Sequence, residues 1–193
     1  MKITVLLLGL AAATAAACQS APALSNRDAL TAVKLELQVD GEGALAEIEY
    51  HIAPADVPPA VRAAMDALHP GGPYTDAERE VQGGELYYEL NRLVGGLEVE
   101  AMFTPEGELH SEELEIPAAK APAAVRDAVA ARHPAGQVTK VEEIRDGRRE
   151  LVQYHVKLKE GGRAYKAMFS PAGEHIATYR EIVAEVEVPV AGG

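Results

Sequence analysis

The sequence predicts an α+β fold of two tandem units, each one helix packed on a roughly four-stranded antiparallel β-meander, preceded by an extra N-terminal β-hairpin. Two observations lead to this prediction. The first is an internal duplication, in which residues 58–108 recur with substitutions as residues 122–174. The second is a change of hydrophobic period within each copy, from helical spacing to the alternation that is typical of strands.

The two copies correspond from end to end. The first begins with VPPAVR at 57–62 and the second with APAAVR at 121–126. Each continues through a His-Pro pair and a Gly-Gly pair, and they end in AMFTPEGE at 101–108 and AMFSPAGE at 167–174. Matches in the same order at a nearly constant spacing indicate two copies of one structural unit.

A helix is predicted at the start of each copy. Pro58 and Pro122 suit a helix start, where the missing N–H of proline costs nothing. His69 and His133 end the helices, because each precedes a proline and such residues are disfavoured in the α conformation. Apolar residues recur between them at helical spacing, at Val61, Ala64, Met65 and Leu68 in the first copy and Val125, Ala128 and Val129 in the second.

An antiparallel meander is predicted after each helix. Apolar and polar residues alternate at 86–91 and 152–157, and again at 99–103 and 165–169 after the Gly-Gly turns. A Pro-x-Gly turn then leads into a last strand at 109–116 or 176–183. We expect the helix to cover one face of each sheet.

The additional hairpin is predicted at residues 33–56, as a partial repeat. Its strands flank the sequence DGEG at 40–43, which we interpret as a hairpin turn and not as a calcium loop, because the downstream calcium ligands are missing. An isolated hairpin is marginal in water, so we expect it to extend the sheet of the first unit. The predicted organisation is a signal peptide at 1–17, a tether at 18–32, the hairpin, and repeats at 57–120 and 121–190.

The N-terminal segment predicts export. Lys2 precedes an apolar run at 3–10, and small residues follow up to Cys18, a pattern of secretion signals that is too short for a membrane span. Cys18 is the only cysteine of the chain, and its position resembles that of the acylated cysteine of bacterial lipoproteins. We therefore predict a periplasmic chain whose Cys18 carries a lipid anchor in the membrane, with Gln19 indicating the outer membrane. Plain cleavage, giving a secreted chain, is the alternative.

The repeated pattern resembles PepSY-like domains, tandem modules that are themselves similar to β-lactamase inhibitor proteins. The resemblance is carried by the helix-opening Pro-x-x-Val, the His-Pro helix end, a tyrosine-centred strand and a strand closing on Phe-x-Pro-x-Gly. It covers residues 33–190 and implies a helix on a four-stranded antiparallel sheet, an extracytoplasmic location, and binding or inhibition instead of catalysis. Secreted inhibitors of that shape carry disulfides, which a chain with one cysteine cannot form internally.

Composition and motifs argue against several classes of function. The formal net charge of −12 opposes binding to nucleic acid, whose affinity comes mainly from neutralised phosphates. The sequence has no phosphate loop, nucleophile elbow, HExxH or paired-cysteine motif, so we predict no catalytic residue, no cofactor and no metal site. His69 and His133 recur, but a helix C-terminus stabilises an imidazolium, and we interpret them as structural.

The predicted binding surface is the sheet face opposite the helices. Alternation places on it Tyr87, Glu89, Glu98, Glu100 and Met102 in the first unit and Gln153, His155, Lys157, Lys166 and Met168 in the second. The charge balance is −3 over residues 85–104 and +4 over residues 148–170. We interpret the face as a bipolar docking surface with methionine and tyrosine as apolar contacts. An ordinary solvated face, or two faces packed on each other, is the alternative.

These observations lead to the hypothesis of a non-enzymatic, lipid-anchored extracytoplasmic module that binds a protein partner. The hypothesis includes inhibition of the partner, if the partner is an envelope enzyme or a secreted enzyme. Two alternatives stay open. One is a small-ligand or cation-binding envelope protein that uses the acidic cluster of Glu112, Glu113 and Glu115. The other is a structural spacer.

Overall fold

Ten strands form one antiparallel sheet whose spatial order follows the chain from β1 to β10 in residues 23–190, the part of the protein that this computed structural model describes. The strands are β1 (Lys34–Val39), β2 (Leu45–His51), β3 (Tyr74–Gln82), β4 (Glu85–Val94), β5 (Leu97–Phe103), β6 (Leu109–Glu115), β7 (Gln137–Asp146), β8 (Leu151–Glu160), β9 (Arg163–Phe169) and β10 (His175–Arg180). The α-helices are α1 (Asn26–Thr31), α2 (Pro59–Leu68) and α3 (Ala123–Arg132), with 3-10 turns at Pro54–Asp56 and Ala118–Lys120. Among the described helices, none has the length and apolar character needed to cross a membrane.

The prediction of two tandem helix-on-meander units was wrong, because the strands of both predicted units belong to one sheet. The last strand of the first predicted unit, β6, pairs directly with β7, the first strand of the second. The predicted extra hairpin supplies β1 and β2, and β2 pairs with β3. All ten strands therefore belong to one curled sheet that carries only short helices.

The joining of the two halves has a physical reason. A free strand edge leaves backbone N–H and C=O groups without partners and invites pairing with other chains. Pairing β6 with β7 removes two such edges and leaves β1 and β10 at the ends of the described sheet. Hydrophobic alternation identifies a strand and its faces, but it does not indicate which edges pair. The sequence pattern is therefore the same whether the ten strands form one sheet or two.

The helices α2 and α3 cover the same face of the sheet, which we call the helix face. Each helix buries its apolar stripe in a separate cluster of the core. The cluster under α2 consists of Val57, Val61, Met65, Ala77, Leu90, Val99, Ala101 and Phe103, and the cluster under α3 of Ala121, Val125, Val129, Val141, Tyr154, Val156, Leu158, Ala167 and Phe169. The two helices thus stabilise different parts of one sheet.

Glycine allows the turns after β5 and β9 to approach the helices closely. Gly107 and Gly173 have φ of +89° and +85°, a region that residues with a side chain rarely adopt. A Cβ atom would lie 2.8 Å from the carbonyl oxygen of Ala60 at Gly107, and 2.6 Å from that of Ala124 at Gly173. The turns after β5 and β9 therefore lie directly against the first turns of α2 and α3.

Candidate binding surface on the concave sheet face

The sheet face opposite α2 and α3, which we call the concave face, is lined mainly by charged side chains. The strand register places on it the acids Glu36, Glu47, Glu49, Asp76, Glu78, Glu80, Glu85, Glu89, Glu98, Glu100, Glu113, Glu115, Glu142 and Asp146, and the lysines Lys34, Lys140, Lys157, Lys159 and Lys166. Acidic residues therefore outnumber lysines across this face. This excess of acid is the main electrostatic feature of the surface.

Several of these charged side chains are buried although no described helix covers them. Glu142 is 0% exposed, Glu80 is 3% exposed and Glu89 is 8% exposed. On a flat sheet, side chains at such positions would face water. A curled sheet instead makes the side chains of one face converge, and this convergence accounts for their burial.

Lys166 on β9 shows how far the curl brings distant strands together. Burial lowers the pKa of Lys166, but Glu113 on β6 and Glu47 and Glu49 on β2 outweigh it and raise the pKa above the ordinary lysine value. In a flat sheet, β2 and β9 would be about 34 Å apart, at roughly 4.8 Å for each strand. Their charges interact because the concave face is strongly curved.

Lys140 on β7 connects the acids of neighbouring strands. Its ammonium group forms ion pairs with Glu98, with Glu142, and with Glu100 at 2.9 Å. Lys157 on β8 adds a contact of 3.5 Å to Glu142. The basic groups of the second half of the chain thus lie next to acids of the first half. The acidic and basic segments predicted from the sequence therefore lie side by side on one continuous sheet face.

Several carboxyl groups of the concave face keep a proton near neutral pH. Burial, followed by the carboxyls of Glu47 and Glu78, raises the pKa of Glu80 to about 8. Burial and the adjacent Glu47 raise the pKa of Glu49 to about 11. Burial is also the main reason that the pKa of Glu89 is well above its ordinary value. Protonation relieves the repulsion that the lysines leave uncompensated.

Two histidines lie among these carboxyls in different environments. His51 has hydrogen-bond partners at both nitrogens, because Nδ1 is 2.8 Å from Asp76 Oδ2 and Nε2 is 3.2 Å from Glu36 Oε1. His155 is 6% exposed, and its Nδ1 lies 3.5 Å from Glu113 Oε1. Within residues 23–190, neither nitrogen of His155 makes a hydrogen bond.

The predicted partner-binding residues all lie on the concave face. These are Tyr87, Glu89, Glu100, Met102, His155, Lys157, Lys166 and Met168. Glu89 and His155 are buried, and the other six are partly exposed. Cys18, the predicted lipidation site, lies outside the described residues.

The acidic cluster that suggested cation binding is divided between the two sheet faces. Glu112 is fully buried on the helix face, where its carboxylate lies 2.7 Å from His69 Nε2 and 2.8 Å from Arg149 Nε. Glu113 and Glu115 lie on the concave face. Strand alternation therefore separates the three carboxyls, and Glu112 instead joins the end of α2 to the turn between β7 and β8.

Sequence reasoning missed Glu47, Glu78, Glu80 and Lys140. A signal for the acids was present, because glutamates occupy alternate positions in β2 and again in β3, which is the period of a single strand face. Lys140 had no comparable signal. Its partners Glu98 and Glu100 lie on β5, and β6 separates β5 from β7 in the sheet.

The fold is similar to solved structures from Bacteroides. A proposed periplasmic protein from Bacteroides eggerthii matches with a TM-score of 0.53 at 21% identity, over 64% of this chain and 88% of that one. A DUF2874 family protein from Bacteroides uniformis matches with a TM-score of 0.52 at 21% identity, over the same 64% and 88%. A Bacteroides fragilis protein called BLIP-like matches with a TM-score of 0.48 at 20% identity, over 65% and 87%. No family model and no curated protein matches the chain.

Proposed function

We propose that the chain is a non-enzymatic, extracytoplasmic binding module whose concave face receives a positively charged segment of a protein partner. The observation that carries this proposal is the excess of carboxyl groups over lysines on a curved sheet face that no described helix covers. Burial and like charges favour the protons on these carboxyls, because they raise the pKa of Glu80 to about 8 and that of Glu89 well above its ordinary value. A lysine or arginine of a partner would take the place of those protons and remove the repulsion.

The shape and the apolar residues of the face support a protein ligand. A protruding loop or strand of a partner protein fits a concave surface and can contact the acidic side chains at its centre. Tyr87, Met102 and Met168 are partly exposed between the charged groups and offer the apolar contacts that protein interfaces favour. The periplasmic description of a protein with the same fold agrees with an extracytoplasmic site of action.

Calorimetric titration with a lysine-rich decapeptide tests this proposal. We expect binding that weakens as salt is added, because exposed charges are screened. We also expect protons to be released, since the incoming cations lower the pKa of the buried carboxyls. Proton release is measured as a difference in binding heat between two buffers of different ionisation enthalpy. An acidic decapeptide should not bind.

Two matched pairs of substitutions locate the binding face. Glu36→Gln with Asp76→Asn removes two acids of the concave face whose side chains are 47% and 40% exposed. We expect about tenfold weaker peptide binding, from about 0.7 kcal/mol for each charge. Asp127→Asn with Glu174→Gln removes the same charges from α3 and the turn after β9. Equal weakening by both pairs would mean that net charge attracts the peptide, and would contradict the proposal.

We also propose that a lipid on Cys18 holds the module at the outer membrane, so that the concave face acts in the periplasm. The support is the pattern of the leader, in which an apolar run ends in small residues and the only cysteine of the chain. Labelling of cells with a radioactive fatty acid should mark the wild-type chain and not Cys18→Ala. Label that persists in the variant would refute the anchor and leave the binding proposal untouched.

A further inference from the structure

We propose that Glu113, Glu142 and His155 form a binding site for one divalent transition-metal ion of the Zn²⁺ class. The three residues come from β6, β7 and β8, and one ligand atom from each lies within 4.8 Å of the other two. Such a group needs only small side-chain movements to meet one ion at distances of about 2.0–2.2 Å. The site lies on the concave face but does not depend on the binding of a protein partner.

The sheet itself positions the three side chains. Glu142 on β7 is directly opposite His155 on β8. Glu113 on β6 is opposite Ile144, the next residue of β7 on the same face as Glu142. Neighbouring positions of this kind have Cβ atoms about 4.5–8 Å apart, within reach of glutamate and histidine side chains. Backbone hydrogen bonds of the sheet therefore fix the ligand geometry before any ion arrives.

Two side chains of this site have buried polar atoms without a hydrogen-bond partner among the described residues, although His155 Nδ1 lies 3.5 Å from Glu113 Oε1. His155 is 6% exposed, and neither of its ring nitrogens is hydrogen-bonded to the part of the chain that the structure describes. Glu142 is 0% exposed, and its Oε2 has no hydrogen-bond partner in the same residues. Buried polar side-chain atoms in native proteins have a partner in the large majority of cases. A bound cation would be coordinated by an imidazole nitrogen of His155 and a carboxylate oxygen of Glu142, and both atoms would then have a partner.

The lysines beside the site leave room for an ion. Lys140 pairs with Oε1 of Glu142, and Lys157 lies 3.5 Å from the same oxygen, so both contacts avoid Oε2. Lys140 is also paired with Glu98 and Glu100, which compensate its charge. The two carboxylates of the site would balance a divalent ion. An imidazole ligand favours Zn²⁺, Ni²⁺ or Cu²⁺ over Ca²⁺ and Mg²⁺, which prefer oxygen ligands.

His51 provides an internal comparison. It also lies within ligand distance of two carboxyl groups, those of Asp76 and Glu78. Its two nitrogens, however, already have hydrogen-bond partners in Asp76 and Glu36. The polar groups around His51 are therefore satisfied without an ion. His51→Gln is the matched control for His155→Gln, because both remove a buried histidine from an acidic part of the same sheet face.

The test is a Zn²⁺ titration of untagged, chelator-stripped protein against a fluorescent zinc indicator. We expect the wild type to bind one ion that His155→Gln and Glu142→Gln weaken by about 100-fold or more. Loss of an outer partner of a metal ligand alone costs roughly 10- to 100-fold, and these variants remove ligands. His51→Gln should leave the affinity unchanged. With Co²⁺ as the probe, visible absorption bands should appear in the wild type and not in His155→Gln.

Three results would overturn the assignment. They are no Zn²⁺ binding by the wild type, unchanged affinity in His155→Gln, and tighter binding of Ca²⁺ than of Zn²⁺. Because substitutions at buried positions can impair folding, X-ray absorption of Zn²⁺-loaded wild-type protein provides a second measurement. The proposal predicts one imidazole together with oxygen ligands, and a coordination shell without imidazole would contradict it.

Discussion

Replacing Glu80 by glutamine should remove a pH-dependent loss of stability. Glu80 is 3% exposed in β3, and its Oε1 has no hydrogen-bond partner among the described residues. Burial and the nearby carboxyls of Glu47 and Glu78 raise its pKa from 4.5 to about 8. Glutamine has almost the same shape but carries no ionisable proton. The substitution therefore removes the titration with little change in packing.

The size of the effect follows from the two pKa values of Glu80. Between pH 4.5 and pH 8, the folded chain keeps a proton that the unfolded chain has lost, so the free energy of unfolding falls as the pH rises. The loss is complete above the folded-state pKa and absent below the unfolded-state value. With pKa values of 4.5 and about 8, it amounts to about 4 kcal/mol at pH 8. Glu80→Gln should lack this loss.

Urea unfolding followed by circular dichroism at about pH 4, 6 and 8 measures the difference between Glu80→Gln and the wild type. We expect the variant to gain stability relative to the wild type by about 4 kcal/mol across this range. Glu85→Gln, at an exposed position on the same sheet face, is the control and should stay within about 0.5 kcal/mol at every pH. A difference between Glu80→Gln and wild type that does not change with pH would refute the reasoning.

Two further predictions concern the packing of the helix face. Gly173→Ala should lower the free energy of unfolding by about 2–4 kcal/mol, because alanine is strained at φ +85° and its Cβ would meet the carbonyl oxygen of Ala124. Gly41→Ala is the control and should be nearly neutral in the same urea assay, because a Cβ at Gly41 meets nothing within 4 Å. Leu90→Ala and Leu158→Ala, in the cores under α2 and α3, should each cost about 2–5 kcal/mol and shift a single thermal transition, since both cores belong to one sheet. Two separate transitions in either leucine variant would indicate independent halves.

Helices and tight turns were predictable because each depends on residues that are close in sequence. Pro58 and Pro122 immediately precede α2 and α3. The Gly-Gly pairs at 95–96 and 161–162 have positive φ at both residues, as two-residue hairpin turns require. Side-chain direction was predictable for the same reason. Met102 and Met168 lie on the concave face because the strand period is two residues.

The pairing of β6 with β7 and the curl of the sheet depend on contacts between distant residues. Nothing in the alternation of either strand indicates that one is the neighbour of the other. The burial of Glu80 also depends on the curl of the sheet. A glutamate at an alternating strand position is expected to face water, and in a curled sheet the side chains of the same face converge and bury it. The proximity of Glu113 to His155 likewise requires β6, β7 and β8 to be neighbours. Sequence spacing alone therefore did not indicate that these side chains lie together.

We expect the concave face to bind a positively charged segment of a protein partner. The most direct test is a nuclear magnetic resonance titration of isotope-labelled protein with the lysine-rich decapeptide. We expect the largest amide shifts on strands β1 to β9, around Glu36, Asp76, Glu80 and Glu100, with little change in α2 and α3. Shifts concentrated on the two helices, or spread evenly over acidic residues of both faces, would contradict it.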